Sequence, residues 1–236
     1  MKIAIMQPYF FPYLGQFQLI YAADRYVIGT EVQYIASGWM NRNRVLKAVE
    51  GVQYINVPII KHGSREAIMN INIVEDDSWK VKTLRQLEHY KKRSPFYNNT
   101  IEVLNECFYG QKDTRLAWFN GHCFDMVCQY LGIDFKIEIS SEMNLDYSNV
   151  NAPHERVITM CKQLGATGYL NPPGGMELYK KEVFNQHNLE LGFVKPNLKE
   201  YDQLRPVFEP GLSIIDIMMF NSPADIQLML KDYELL

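Results

Sequence analysis

The chain has 236 residues, a formal net charge of −3, 47% hydrophobic and 22% charged residues. That length allows a substantial core, and the composition is that of an ordinary globular protein. The weak net charge argues against nucleic acid or an anionic membrane as partner. Aromatic residues make up 13%, with 15 Tyr. Such residues serve either core packing or surfaces for sugars, bases and other flat ligands.

No run approaches the about 20 apolar residues of a membrane helix. The longest candidate, "LSIIDIMMF", carries Asp216. The opening apolar stretch is too short for a signal peptide and lacks a cleavage region. The four Cys, at 107, 123, 128 and 161, show neither CxxC pairs nor zinc spacing. They read as reduced, buried residues of a cytoplasmic protein without membrane insertion.

In chain order, "KIAIMQP" predicts a buried strand stopped by Pro8. Helix spacing at Leu14, Phe17, Ile20 and Tyr21 follows, then a second strand, "RYVIGT". This is a βαβ unit with an aromatic, Pro-rich loop at the strand's C-terminal end, where α/β sheets bind ligands. "YINVPI" and "MNINIVED" read as strands around a "KHGSRE" turn. Residues 80–93 predict an amphipathic helix with Val81, Leu84 and Leu87 inward and a basic, solvated face, stopped by Pro95.

Helices are also expected over 100–109 and 115–132. In the second, Leu116, Phe119, Cys123, Val127 and Leu131 share a face and Gly132 ends it. "DFKIEISS" reads as a strand. Residues 151–166 predict a helix capped by Asn151 and closed by Gly165. "TGYLNPPGG" reads as a strand entering a Pro-Gly loop, followed by a helix, "LYKKEVFNQHN", and a strand, "LELGFV". "SPAD" is a helix start with Ser at the N-cap and Pro at the first helical position. The pattern gives an α/β fold, a Rossmann-like, mostly parallel sheet, in one domain over 1–236 with a helical insertion at approximately 80–132.

GxGxxG, GxxxxGK[ST], HExxH and GxSxG are all missing. That removes the usual signatures of dinucleotide binding, Walker-type phosphate binding, zinc proteolysis and the serine-hydrolase elbow. No motif points to a metal or a cofactor. Three polar constellations remain.

In "MQPYFFPYLG", Gln7 offers an amide donor and acceptor among Pro8, Tyr9 and Tyr13. Gly15 lets backbone approach at a helix start. The stretch is either a pocket floor or a tightly packed turn. In "GWMNRNRV", extended backbone would set Asn41 and Asn43 on one face and Arg42 and Arg44 on the other. Arg suits bidentate phosphate or carboxylate binding, while the plain alternative is an exposed polar hairpin.

The third constellation joins "APHERVI" to "YLNPPGG". His154 and Glu155 are candidate proton carriers at a helix start, and Gly174 and Gly175 allow close backbone approach. Asp216 must be paired, hydrogen-bonded or at a surface, and Arg42 or Arg44 would be its partner if it is paired. Cys161 falls on the apolar side of its helix and reads as core rather than as a nucleophile.

Taken together, "IMQPYFFPYLGQFQLI", "AADRYVI", "VQY" with "WMNRNRV", "LGATGYLNPPGG", "YDQL" and "FEPGLSIIDIMMFN" resemble the WbqC-like proteins of bacteria over nearly the whole chain. The resemblance implies a role in surface-polysaccharide (O-antigen) biosynthesis. It implies a transferase that modifies a nucleotide-activated amino sugar, for example by attaching an aminoacyl group such as glycine. Gln7, Asn41, Arg42, Asn43, Gly174, Gly175 and Asp216 lie within its motifs.

A more distant likeness is to the HxGH-type nucleotidyltransferases and pantothenate synthetase, through the strand, loop, helix and "ADRYV" order and the "ISSEMN" stretch. Both HxGH histidines are absent, their place being taken by "PYLGQF". An ATP-using nucleotidyltransferase- or ligase-like enzyme is the alternative, and a non-catalytic nucleotide-sugar-binding module the third reading.

Overall fold

The structure, a computed structural model, describes residues 1–135, 137–150 and 152–236. β1 (Lys2–Met6) is followed by α1 (Leu14–Ala22) and β2 (Arg25–Ile28). β3 (Arg42–Leu46) and β4 (Val52–Asn56) form an antiparallel hairpin. The helices α2 (Ser78–Leu87), α3 (Tyr97–Tyr109) and α4 (Leu116–Tyr130) follow it. The chain then returns through β5 (Ile137–Ile139), α5 (Pro153–Gln163), β6 (Gly168–Asn171), α6 (Lys181–Asn185) and β7 (Glu190–Pro196). It closes with α7 (Ile214–Phe220), α8 (Pro223–Leu230) and β8 (Tyr233–Leu235).

The described residues form a six-stranded sheet in the order β5-β2-β1-β6-β7-β8. Every pairing is parallel except that of β8 with β7. Numbering only this sheet's strands along the chain, the order is 3-2-1-4-5-6, that of the doubly wound nucleotide-binding folds. The fold is therefore α/β and Rossmann-like, and its order reverses between β1 and β6.

Side-chain alternation divides each central strand between two cores. Ile3, Tyr169, Leu191 and Phe193 pack with Val157, Ile158 and Cys161 of α5. Ala4, Leu170 and Val194 face α1, α7, α8 and the helices of the 78–130 segment. The sheet is covered on both sides, so β1 and β2 are apolar runs rather than alternating ones.

The α4 face is as expected, with Leu116, Phe119, Cys123, Val127 and Leu131 all buried, and Gly132 follows the helix at φ +66°. All four Cys are free and buried. Ser222 caps α8 with its Oγ accepting from Asp225 N–H at 3.1 Å. Among the described residues no helix is long and apolar enough to cross a membrane.

Three expectations are corrected. Residues 69–76 are not a strand. A 3-10 turn at Ile68–Asn70 and two isolated bridges, Ile73 to Ile59 and Asn72 to Arg115, stand in their place. The Asn72 amide donates to Asn70 C=O at 3.0 Å, a local bond that competes with a ladder.

The helix at 78–87 buries Trp79, Thr83 and Leu87, while Val81 is 40% exposed. Trp79 sets that face by lodging edge-on against Phe108 and Phe119. The helix expected over 178–188 is only Lys181–Asn185. Asn151, the expected cap of α5, lies outside the described residues.

Candidate functional site

A cleft of about 420 Å³ opens at the C-terminal ends of β1 and β2. Gln7 follows β1 and Glu31 follows β2. Arg156 comes from the second turn of α5, and Tyr179 from the segment after β6. Val32, Val157 and Met160 supply apolar wall. In a sheet of this order, the crevice beside the reversal point is where ligands bind.

Glu31 is held in place. One of its carboxylate oxygens accepts from the Thr30 N–H at 3.1 Å and from the Ser140 hydroxyl. Arg156 stands over the Tyr147 ring, 4.2 Å from its centroid. Burial, reinforced by the Glu31 carboxylate and opposed by Arg156, pushes the Tyr147 phenol up to about 12. Tyr179 lies edge-on to Tyr169 at 5.4 Å, and burial raises its phenol too.

Most of the opening loop turns away from this cleft into the protein. Its carbonyls lie in the interior between a strand and a helix, and each needs a donor. Asn120 donates to Pro8 C=O at 2.7 Å and Asn43 to those of Phe10 and Phe11 at 2.9 and 2.7 Å. The Ser213 hydroxyl donates to Phe11 C=O at 2.7 Å, and Ile214 N–H to Pro12 C=O at 2.8 Å. Phe11 itself has φ +39°. The Phe10 and Phe11 rings are buried against each other and against Phe119 and Phe108.

Three stretches far apart in the chain thus meet in one buried knot that shapes the turn leaving β1. Of the opening-loop candidates, Gln7 lines the cleft. Pro8 is buried and Tyr9 half-buried, whereas Tyr13 lines a second cavity of about 40 Å³ with Tyr201, Phe208 and Gly211. A Cβ on Gly15 would sit 2.4 Å from the Tyr13 ring. Its backbone is bare to fit that ring.

The Asn-Arg stretch is also anchored. Asn41 donates to Val57 C=O at 3.1 Å and accepts from the Tyr34 hydroxyl at 3.0 Å. Arg42 donates to the carbonyls of Gly38 and Ser37 and lies over Tyr54. Arg44 donates to Gly211 C=O at 3.2 Å and lies over Trp39.

Asp216 pairs with neither arginine. Its carboxylate, fully buried, accepts from the hydroxyls of Tyr90 and Tyr201 at 2.5 Å each and from the Gln203 amide at 3.3 Å. Burial pushes its carboxyl up to about 6, against the pull of those donors and of Arg205. Glu155 accepts from the Ala152 N–H at 3.0 Å and so caps its own helix. His154 is half-buried and lies outside the cleft lining. Gly175 is packed on Asn171, and Gly174 is exposed with open space around its Cβ position.

Glu31, Arg156 and Tyr179 escaped the reading of motifs. Their signal is position: Glu31 stands just beyond a predicted strand, and Arg156 two residues beyond His154.

Comparison with known proteins adds three findings. An uncharacterized protein of Mycobacterium tuberculosis is 28% identical over 225 residues, 95% of each chain. No solved structure matches the chain. The sequence model of the WbqC-like protein family matches residues 7–228, and the chain belongs to that family.

Proposed function

We propose that the protein is a transferase of bacterial surface-polysaccharide biosynthesis that modifies a nucleotide-activated amino sugar, forming an aminoacyl amide. The observation that carries this reading is the cleft at the reversal point of a 3-2-1-4-5-6 sheet, with Gln7 and Glu31 at its strand ends. Nucleotides occupy that place in folds of this order. The family resemblance supplies the amino sugar.

In this mechanism Gln7 orients the sugar through its amide donor and acceptor. Glu31 takes a proton from the sugar's ammonium group. The neutral nitrogen then attacks the carbonyl carbon of an activated acyl donor, and the donor's leaving group departs with the bonding electron pair and takes up the second proton that the nitrogen loses as the amide forms. Positioning two reactants in one cleft supplies much of the rate.

The test is a melting-temperature screen with UDP-glucosamine, UDP-glucose, ATP and coenzyme A. A ligand at a hundred times its Kd adds about 2.7 kcal/mol of stability. The reading expects UDP-glucosamine to protect the protein, with Gln7→Ala losing the effect. Protection by ATP alone selects the nucleotidyltransferase- or ligase-like alternative, which the same strand order favours. Protection by UDP-glucosamine without turnover of any acyl donor selects a binding module.

A further inference from the structure

Arg156 brings a positive charge to the cleft. Arg156 Nη1 is buried and meets no carboxylate or carbonyl acceptor among the described residues, its polar neighbour being the Tyr147 hydroxyl. Two other arginines, Arg44 and Arg205, also bury an unpartnered Nε, but each places its Nη2 on backbone carbonyls. Those side chains fasten loops. Arg156 instead rests on the face of the Tyr147 ring, which orients its guanidinium beside the cleft it lines.

A carboxylate is nearby and is not used. Glu31 lines the same cleft, yet no ion pair joins it to Arg156 among the described residues. Glu31 is engaged instead by Thr30 and Ser140. A cation and an anion held apart across one cleft, each fixed by its own support, match a ligand that carries both charges. An isolated charge is costly to bury, and no anion pairs with Arg156 among the described residues; a ligand's anion would supply one.

We infer that Arg156, backed by Tyr147, binds a phosphate oxygen of the substrate's diphosphate, so that the amino group of the sugar lies toward Glu31. This rests on the reading of the cleft as a nucleotide amino-sugar site and deepens it. The diphosphate fixes one end of the substrate and the carboxylate faces the other. A planar guanidinium suits two phosphate oxygens at once, which a lysine ammonium does not reproduce. The Tyr147 hydroxyl, beside the guanidinium and outside the cleft lining, helps to hold it in place. Repulsion from Glu31 is limited because its inner oxygen already accepts from two donors.

The experiment is isothermal titration with inorganic pyrophosphate, UDP, uridine and UDP-glucosamine. It uses the wild-type chain, Arg156→Met, Arg156→Lys and Tyr147→Phe, with circular dichroism and apo melting as fold controls. Arg156→Met keeps the aliphatic stem of the side chain and removes the cation, and apo melting reports whether the fold tolerates the change. The expected result is pyrophosphate and UDP affinity at least tenfold weaker in Arg156→Met, intermediate in Arg156→Lys and a few-fold weaker in Tyr147→Phe. Uridine should bind wild type and Arg156→Met alike.

Equal affinity of wild type and Arg156→Met for pyrophosphate and UDP overturns the inference while leaving the nucleotide-sugar reading in place. Absence of any pyrophosphate and UDP binding to wild type also overturns it. Pyrophosphate binding that depends on Arg156, with UDP and UDP-glucosamine no tighter than pyrophosphate, supports the anion site and removes the nucleotide-sugar reading.

Discussion

The side-chain amide of Asn43 donates to the backbone carbonyls of both Phe10 and Phe11, at 2.9 and 2.7 Å, from a buried position on β3. One hairpin residue thereby holds the turn that carries the chain out of the central strand. The Asn43 carbonyl oxygen is used as well, accepting from Arg44 N–H at 2.8 Å. Replacement by Leu would leave two interior carbonyls without that donor. The expected loss is about 2–4 kcal/mol of unfolding free energy. Urea denaturation of Asn43→Leu checks it, and a loss below about 1 kcal/mol would show that water or a shifted loop replaces the amide.

Asp216 makes stability depend on pH in a direction opposite to that of most carboxylates. Its carboxyl titrates near 6 in the fold against 3.8 for the unperturbed group, because burial outweighs the two tyrosine hydroxyls and Gln203. A raised carboxyl pKa means that the folded state holds the proton more tightly. Its contribution is complete below the unfolded pKa and is lost as pH rises through the folded one, here between about 4 and 6. A difference of about two pKa units corresponds to about 3 kcal/mol. Asp216→Asn does not titrate, so its stability relative to wild type should rise by about that amount from pH 4 to pH 7. A pH-independent difference between the two proteins would mean that the Asp216 carboxyl ionises normally.

The parts of the fold written in local patterns were legible. The strand, loop, helix and strand of residues 2–28 and the buried face of α4 follow from periodicity and punctuation alone. Patterns that tertiary contacts override were not. Trp79 turns the face of α2 by inserting between Phe108 and Phe119, and nothing near residue 79 announces those two rings. Residues 69–76 alternate like a strand, but the Asn72 side chain ties the backbone to itself at Asn70.

The candidate site divides in the same manner. Gln7 was legible because strand ends in α/β sheets are ligand positions. The conspicuous Asn and Asp of the other motifs mark where distant loops are tied together, which a linear reading cannot tell from ligand contact. Glu31 and Arg156 line one cleft only because β2 and α5 border it, and that shared place has no sequence signature.

In the proposed reaction Glu31, which lines the cleft, takes the proton from the sugar's ammonium group. Glu31→Gln keeps an oxygen for Ser140 and Thr30 and removes the negative charge. Loss of a general base slows chemistry by about 10²–10⁴-fold. The expected outcome is turnover of a nucleotide amino sugar reduced by at least about a hundredfold, with UDP affinity unchanged or slightly improved. His154→Gln should retain most activity. Full activity of Glu31→Gln would move the proton transfer elsewhere.

Gly15 and Gly174 give opposite expectations although both sit in conspicuous motif loops. Ala is intrinsically better than Gly in a helix by up to about 1 kcal/mol, and Gly15 is a helical residue of α1. Propensity alone therefore predicts that Gly15→Ala stabilises. The structure opposes this, because the added methyl would lie 2.4 Å from one ring carbon of Tyr13 and 2.8 Å from its hydroxyl oxygen. Tyr13 is confined by the small cavity it shares with Tyr201 and Phe208. Overpacking of this kind costs about 1–3 kcal/mol, so Gly15→Ala should destabilise. In a Tyr13→Ala background the clash is gone and the same substitution should become neutral or stabilising. Gly174→Ala meets nothing within 4 Å and should shift stability by no more than about 0.5 kcal/mol. The double-mutant cycle on Tyr13 and Gly15, read by urea denaturation, separates packing from propensity. A Gly15→Ala effect that is the same with and without the Tyr13 ring would show that the ring swings aside freely.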